Sequence, residues 1–133
     1  MFPNKVFPDT TVINDQGQLV IGGCNALELA EKFKTPVYVL DERTIRNKCQ
    51  SFIREFGKLY DNTRVLYASK AYINPALAKI IQEEGVGLDV VSGGEFAVAK
   101  ASGFPLNDVY FHGNNKTPDE LNEAVLAGIG RVV

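Results

Sequence analysis

The sequence predicts an α/β fold in which parallel strands alternate with helices, and two observations carry the prediction. Apolar segments begin at residues 64, 87, 108 and 131, so successive segments start 23, 21 and 23 residues apart. Signals for a helix start and a helix end lie in every interval, and this alternation implies a parallel sheet with right-handed crossovers. No reversal point favours a doubly wound sheet over a barrel, so both architectures stay open on pattern alone.

The sequence pattern of residues 1–36 predicts a separate structural unit. Its first part contains two short strands, 11–13 and 19–21, on either side of a polar turn. A short helix follows Asn25, a residue type that caps helix starts because its side chain accepts a hydrogen bond from a free backbone amide. The helix ends before Pro36, because the residue before a proline avoids helical torsions.

The sequence pattern of residues 37–133 predicts successive strand–helix units. The predicted strands are 37–40, 64–68, 87–91, 108–111 and a last one that opens at residue 131. The predicted caps of the helices between them are Asp41, Asn74, Ser92 and Thr117. The glycines that end those helices are Gly57, Gly85, Gly103 and Gly128. A closed barrel needs eight such units, so we expect the chain to be the N-terminal part of a longer protein.

The composition argues against several classes of function. The formal net charge of −2 argues against a general affinity for nucleic acid or anionic membranes. No apolar run approaches the roughly 20 residues of a membrane-spanning helix. The two cysteines are expected to be reduced thiols, and a single histidine without a paired-ligand motif predicts no metal centre. The start of the chain lacks the pattern of a secretory signal, so the expected location is the cytoplasm.

Three ionisable residues are predicted to meet at one end of the sheet. Lys70 follows the strand that begins at 64, Asp89 lies in the next strand, and His112 follows the third. Sites in parallel sheets form at the carboxyl ends of the strands. Each residue alone has a simpler interpretation: a solvated lysine, a carboxylate that pairs with a buried group, and a histidine that bridges a loop. Their shared location argues for a site.

Lys70 indicates the chemistry of this predicted site. It stands where an apolar strand runs out into a turn. An amine at the rim of an apolar site loses hydration, its pKa falls, and it becomes nucleophilic toward an aldehyde. The sequence therefore predicts a lysine that is suited to forming a Schiff base.

Two glycine-containing segments lie close to the predicted site. Residues 92–94 open a helix whose amides could bind an anion such as phosphate, but their spacing differs from the dinucleotide and P-loop fingerprints. A tight turn with a helix cap is the favoured interpretation. Residues 112–116 are rich in Gly and Asn, which tolerate positive φ, so this backbone can pass close to a flat ligand.

Four motifs resemble those of the diaminopimelate decarboxylase branch of the pyridoxal-phosphate decarboxylases, which are built on an alanine-racemase-like barrel. They are Tyr67-Ala68-Ser69-Lys70-Ala71, Leu88-Asp89-Val90-Val91-Ser92-Gly93-Gly94-Glu95, Phe111-His112-Gly113-Asn114-Asn115-Lys116 and Thr35-Pro36-Val37-Tyr38-Val39-Leu40-Asp41. The resemblance covers essentially the whole chain, and the run His112-Gly113-Asn114-Asn115-Lys116 is its most specific part.

The resemblance implies a fold and a set of roles. Residues 37–133 would be the first units of a (β/α)8 TIM-type barrel, and the strand pair in 1–36 would belong to a second, β-sandwich domain. Pyridoxal 5'-phosphate would be bound covalently by Lys70, with Asp89 near the lysine and the cofactor, and His112 in the loop close to the pyridine ring. Glu95 matches a family position but is given no role beyond the helix cap.

The resemblance also implies an activity: decarboxylation of meso-diaminopimelate to L-lysine in lysine biosynthesis, by a homodimer that acts on a small amino acid. This chain alone is expected to be inactive, because the later barrel strands and the rest of the sandwich are missing from it. Three alternatives stay open. The protein could be another pyridoxal-phosphate amino-acid decarboxylase of the same fold, a non-catalytic pyridoxal-phosphate-binding barrel, or a plain scaffold in which Lys70 is a surface charge.

Overall fold

A computed structural model describes residues 6–133 of the chain. The chain divides into two compact units between Lys48 and Cys49. The first unit contains strands β1 (Val12–Ile13), β2 (Leu19–Ile21) and β3 (Cys24–Asn25), and helix α1 (Ala26–Phe33). Helix α2 (Glu42–Gly57) contains the boundary between the units. The second unit contains strands β4 (Leu66–Ala68), β5 (Gly87–Val90), β6 (Val109–Phe111) and β7 (Arg131–Val132), with helices α3 (Pro75–Glu83), α4 (Gly93–Ala101) and α5 (Pro118–Leu126).

The first unit contains one strand more than the predicted pair. Strands β1, β2 and β3 form an antiparallel sheet in that order. The third strand exists because Gly22 and Gly23 both adopt positive φ, at 58° and 82°, and reverse the chain so that Ile21 pairs with Cys24. A two-residue glycine turn is a recognised hairpin signal, so this strand could have been predicted.

The predicted strand at residues 37–40 is wrong for this structure, since no strand of residues 6–133 pairs with it. A strand requires a neighbour that shares its backbone hydrogen bonds. All four side chains of the segment are exposed, and Tyr38 is 91% exposed. The local apolar pattern was therefore not sufficient to predict pairing.

Asp41 caps helix α2, as predicted. Its carboxylate accepts hydrogen bonds from the Thr10 hydroxyl at 2.6 Å and from the Thr44 hydroxyl at 2.5 Å. Burial raises the pKa of Asp41, but these two hydroxyls and the backbone amides of Arg43 and Thr44 outweigh it and lower the pKa below 3.8. The side chain is only 8% exposed, so this carboxylate is both buried and fully supplied with donors.

The second unit is the predicted parallel sheet. Strands β4, β5, β6 and β7 are neighbours in chain order and are all parallel. One row across the sheet consists of Ala68, Asp89, Tyr110 and Arg131. Successive residues of a strand point to opposite faces. Consistent with this, the neighbours of that row are fully buried core residues: Leu88, Val90, Val109 and Phe111.

The helices of the sheet begin at the predicted caps. The side chains of Asn74, Ser92 and Thr117 accept hydrogen bonds from the amides of Leu77, Glu95 and Glu120, respectively. The core under these helices includes a stacked pair of rings, Phe96 and Phe111, with centroids 6.3 Å apart. Burying such a ring contributes about 1.5–3 kcal/mol relative to leaving it exposed. One face of the sheet is therefore fixed by helices, while the row that contains Asp89 belongs to the other face.

Candidate active site

The three residues predicted to form a site all lie at the carboxyl ends of neighbouring strands. Lys70 lies in a single turn of 3-10 helix, Ser69–Ala71, which follows β4 directly. Asp89 is the third residue of β5 and pairs with Ala68 on one side and Tyr110 on the other. His112 is the first residue after β6. Because β4, β5 and β6 are parallel and adjacent, these positions share one edge of the sheet.

Asp89 and His112 are brought into contact. The Nδ1 atom of His112 lies 3.6 Å from Oδ2 of Asp89. At this distance the two side chains form an ion pair when the imidazole is protonated. The His112 side chain is 56% exposed and that of Asp89 is 23% exposed. The backbone amide of His112 donates to the carbonyl of Val90 at 2.9 Å, so the residue continues the sheet register beyond the end of β6.

Lys70 differs from its expected environment. Its side chain is exposed rather than partly desolvated, and its ammonium makes no hydrogen bond or ion pair with any residue from 6 to 133. The reason is geometric: a closed barrel surrounds its centre with eight strands, whereas the described sheet has four. The structure thus brings Asp89 and His112 together and places Lys70 at the same edge with its amine open.

The turn that carries Lys70 contains two features that the sequence analysis missed. The Tyr67 hydroxyl donates to the carbonyl of Tyr72 at 2.7 Å, across the turn. The Ser69 hydroxyl is buried and has no hydrogen-bond partner among the described residues. Buried polar groups are usually paired, so an unpaired hydroxyl beside the candidate lysine marks this turn as unusual.

The start of helix α4 is already occupied by carboxylates and a cap. Glu120 accepts from the amide of Gly93 at 2.7 Å, and the Ser92 hydroxyl accepts from the amide of Glu95 at 3.3 Å. Glu95 itself accepts from the amide of Val91 at 3.0 Å, instead of from the Ser92 amide that a standard capping box would use. The favoured interpretation of residues 92–94, a tight turn with a helix cap, agrees with these contacts.

Glu120 is held as a carboxylate at this position. The backbone amide of Thr117, then the amide of Gly93 and the hydroxyl of Thr117, lower the pKa of Glu120 below 4.5. One side chain therefore caps its own helix, α5, and also binds the first amide of α4. It connects the segment after β6, which contains His112, to the segment after β5, the strand that contains Asp89.

The loop 112–116 is closed by its own lysine. The Lys116 ammonium donates to the carbonyl of Gly113 and, at 2.6 Å, to the carbonyl of Val133. Gly113 has φ of 116°, a conformation that side chains rarely allow, and it lies against Val91. Lys116 thus has a structural role, which leaves Lys70 as the amine of the site edge without a partner in the described structure.

The side chains at this edge fit one end of the cofactor that the resemblance implies. A primary amine suits an aldehyde, and a neighbouring carboxylate and imidazole suit the polar positions of a pyridine derivative. The helix start at residues 92–94 does not suit a phosphate, because the Gly93 and Glu95 amides already have acceptors. The residues present would therefore hold pyridoxal phosphate through Lys70, Asp89 and His112, rather than through its phosphate.

Comparisons with known proteins identify relatives that are similar over most of this chain. A diaminopimelate decarboxylase from Bacillus methanolicus is 45% identical over 127 residues, and one from Bacillus subtilis (strain 168) is 48% identical over 120 residues. These matches cover 96% and 90% of this chain, but only 29% and 27% of the relatives.

Among residues 6–133, no helix has both the length and the apolar character needed to cross a membrane.

Solved structures give the same result for the fold. The crystal structure of diaminopimelate decarboxylase from M. jannaschii in co-complex with L-lysine aligns with a TM-score of 0.84 and 39% identity. The alignment covers 93% of this chain and 29% of that one. The predicted N-terminal barrel portion, preceded by short antiparallel strands, is confirmed. Residues 42–133 match the model of the family described as "Pyridoxal-dependent decarboxylase, pyridoxal binding domain", and the chain therefore belongs to the pyridoxal-dependent decarboxylase family.

Proposed function

We propose that the complete protein containing this chain is a pyridoxal-phosphate-dependent carboxy-lyase that converts meso-diaminopimelate to L-lysine and carbon dioxide. The observation that carries the proposal is the contact of 3.6 Å between Asp89 and His112 at the sheet edge that also bears Lys70. Family membership supports the cofactor, and the names of the similar relatives support the substrate.

The three residues have distinct proposed roles. Lys70 holds the cofactor covalently through its Nζ atom. Asp89 lies near the lysine and the cofactor and supplies a carboxylate there. His112 lies against the Asp89 carboxylate and limits its orientation. When bound, pyridoxal phosphate supplies an electron sink for the electron pair of the broken carbon–carbon bond.

Further proposals concern the assembly. The segment 1–36 is part of a β-sandwich domain, and residues 37–133 are the first units of the barrel. The complete protein acts on a small amino acid, forms a homodimer and works in the cytoplasm. The 133 residues alone are inactive, because the chain spans 27–29% of the length of the relatives it matches. Light scattering of the complete protein tests the dimer, and a decarboxylation assay of the isolated chain tests its inactivity.

The decisive experiment is an assay of the complete protein with defined substrates. We expect carbon dioxide and L-lysine from meso-diaminopimelate, and much slower release from ornithine or arginine. Faster release of carbon dioxide from ornithine or arginine than from meso-diaminopimelate would indicate a different amino-acid decarboxylase of the same fold. Borohydride trapping of the cofactor on the Lys70 peptide without any decarboxylation would favour a carrier instead. Absence of trapping at Lys70 would contradict the assignment of the site.

A further inference from the structure

The turn that carries Lys70 is closed by a hydrogen bond between residues on either side of it. Tyr67, in the middle of β4, donates its phenolic hydrogen to the backbone carbonyl of Tyr72 at 2.7 Å. Between them in the chain lie the single 3-10 turn of Ser69–Ala71 and Lys70 itself. The hydrogen bond therefore joins the strand before the lysine to the backbone after it.

The far side of the turn is also fixed to the following helix. Tyr72 has extended backbone torsions, and its hydroxyl accepts a hydrogen bond from the side-chain amide of Asn74 at 3.1 Å. The carbonyl oxygen of the Asn74 side chain accepts from the amide of Leu77 at 2.8 Å and so caps α3. Tyr72 is thus attached both to β4, through Tyr67, and to α3, through Asn74.

Tyr67 remains a hydrogen-bond donor over a wide pH range. Burial raises the pKa of its phenol above 10.0. Tyr67 is half-buried, so its ring is held in place while its hydroxyl reaches across the turn.

Lys70 has no other restraint in the described structure. Its ammonium has no partner among residues 6–133, and the hydroxyl of the preceding Ser69 forms no hydrogen bond there. The direction of the lysine is therefore set by the backbone of its own turn. We infer that Tyr67 is a positioning residue for Lys70, because its hydrogen bond to the Tyr72 carbonyl fixes the turn from which the amine reaches a cofactor aldehyde. This inference rests on the proposed function.

The test uses Tyr67→Phe in the complete protein, with Tyr60→Phe as the matched control. Both changes remove one phenolic oxygen, but Tyr60 is 66% exposed and lies outside the turn. In the protein without cofactor, we expect amide hydrogen exchange of residues 69–73 to become about tenfold faster in Tyr67→Phe, which corresponds to losing one ordinary hydrogen bond. Exchange in β5 should stay unchanged, and Tyr60→Phe should behave like the wild type.

A second measurement connects the turn to the amine. Pyridoxal phosphate is titrated and trapped with borohydride, and the modified Lys70 peptide is quantified by mass spectrometry. We expect Tyr67→Phe to require about tenfold more pyridoxal phosphate for half-maximal trapping, with no change for Tyr60→Phe. Equal trapping by Tyr67→Phe and wild type, or faster exchange that extends to β5, would overturn the positioning role. If the wild type is not trapped at Lys70, the proposed function fails, and the exchange of residues 69–73 alone decides whether Tyr67 fixes the turn.

Discussion

The carboxylate of Glu120 accepts a hydrogen bond from the backbone amide of Gly93, 27 positions earlier in the chain, at a distance of 2.7 Å. The same carboxylate accepts from the amide of Thr117 at 2.8 Å and from its hydroxyl at 3.0 Å. One side chain thereby joins the starts of α4 and α5. Because these starts follow β5 and β6, Glu120 supports the edge of the sheet where Asp89 and His112 meet.

Glu120→Gln should make stability less dependent on pH in acid. The pKa of Glu120 in the folded chain lies below 4.5, so its carboxylate stabilises the fold fully above 4.5, and this contribution is lost as the pH falls through the folded value. We expect the variant to be less stable than wild type at neutral pH, with a difference that shrinks in acid. Urea unfolding at a series of pH values measures this.

The control for that prediction is Glu123→Gln, on the same helix. Glu123 forms an exposed ion pair with Lys100 at 2.8 Å, and exposed pairs contribute about 0–1 kcal/mol. A Glu120→Gln difference from wild type that stays constant with pH, or that matches the Glu123→Gln difference, would contradict the proposed bridge between the helix starts.

Lys70→Ala should abolish the cofactor absorbance of the complete protein, because it removes the amine that binds the aldehyde. Lys79→Ala, which removes an exposed lysine of α3, is the matched control and should retain the absorbance. Absorption spectra with pyridoxal phosphate, followed by borohydride trapping, make the comparison. Retained absorbance and turnover in Lys70→Ala would rule out this lysine as the cofactor ligand.

Asp89→Asn should lower the turnover of the complete protein by about tenfold or more, because a charge beside the reacting groups is removed while the shape of the side chain is kept. Turnover is measured as release of carbon dioxide.

The same change, Asp89→Asn, should have little effect on stability. The partner His112 is more than half exposed, so the coupling between them should be about 0–1 kcal/mol. A double-mutant cycle with His112→Asn measures the coupling by urea unfolding. Turnover of Asp89→Asn equal to that of the wild type would contradict the proposed role of Asp89 in the site.

Gly87→Ala should destabilise the protein by about 1–3 kcal/mol, as expected when a methyl group is forced into a packed region. A Cβ at Gly87 would lie 2.5 Å from the carbonyl oxygen of Asp108 and 2.6 Å from Cδ2 of Leu66. At Gly57, the control, a Cβ would meet nothing within 4 Å. Thermal unfolding of both variants is the measurement, and equal stabilities would show that β5 can move away from its neighbours at little cost.

Local signals predicted most of this fold. The caps Asn25, Asn74, Ser92 and Thr117 each accept a hydrogen bond from a helix amide, and four of the five predicted strands of residues 37–133 form. These signals act over three or four residues, so a single sequence contains them in full. The resemblance of four motifs gave the family, which the match over residues 42–133 confirms.

Contacts between distant residues required the tertiary structure. The apolar segment 37–40 has the composition of a strand, but no strand among residues 6–133 pairs with it. The capping box at Thr117 was predicted, yet nothing local showed that its Glu120 would also bind Gly93. The sequence by itself determined the order of the elements and the residues at the strand ends, because those depend on neighbours in the chain. Only the tertiary structure decided which of these residues touch, because side-chain contacts depend on the register of adjacent strands.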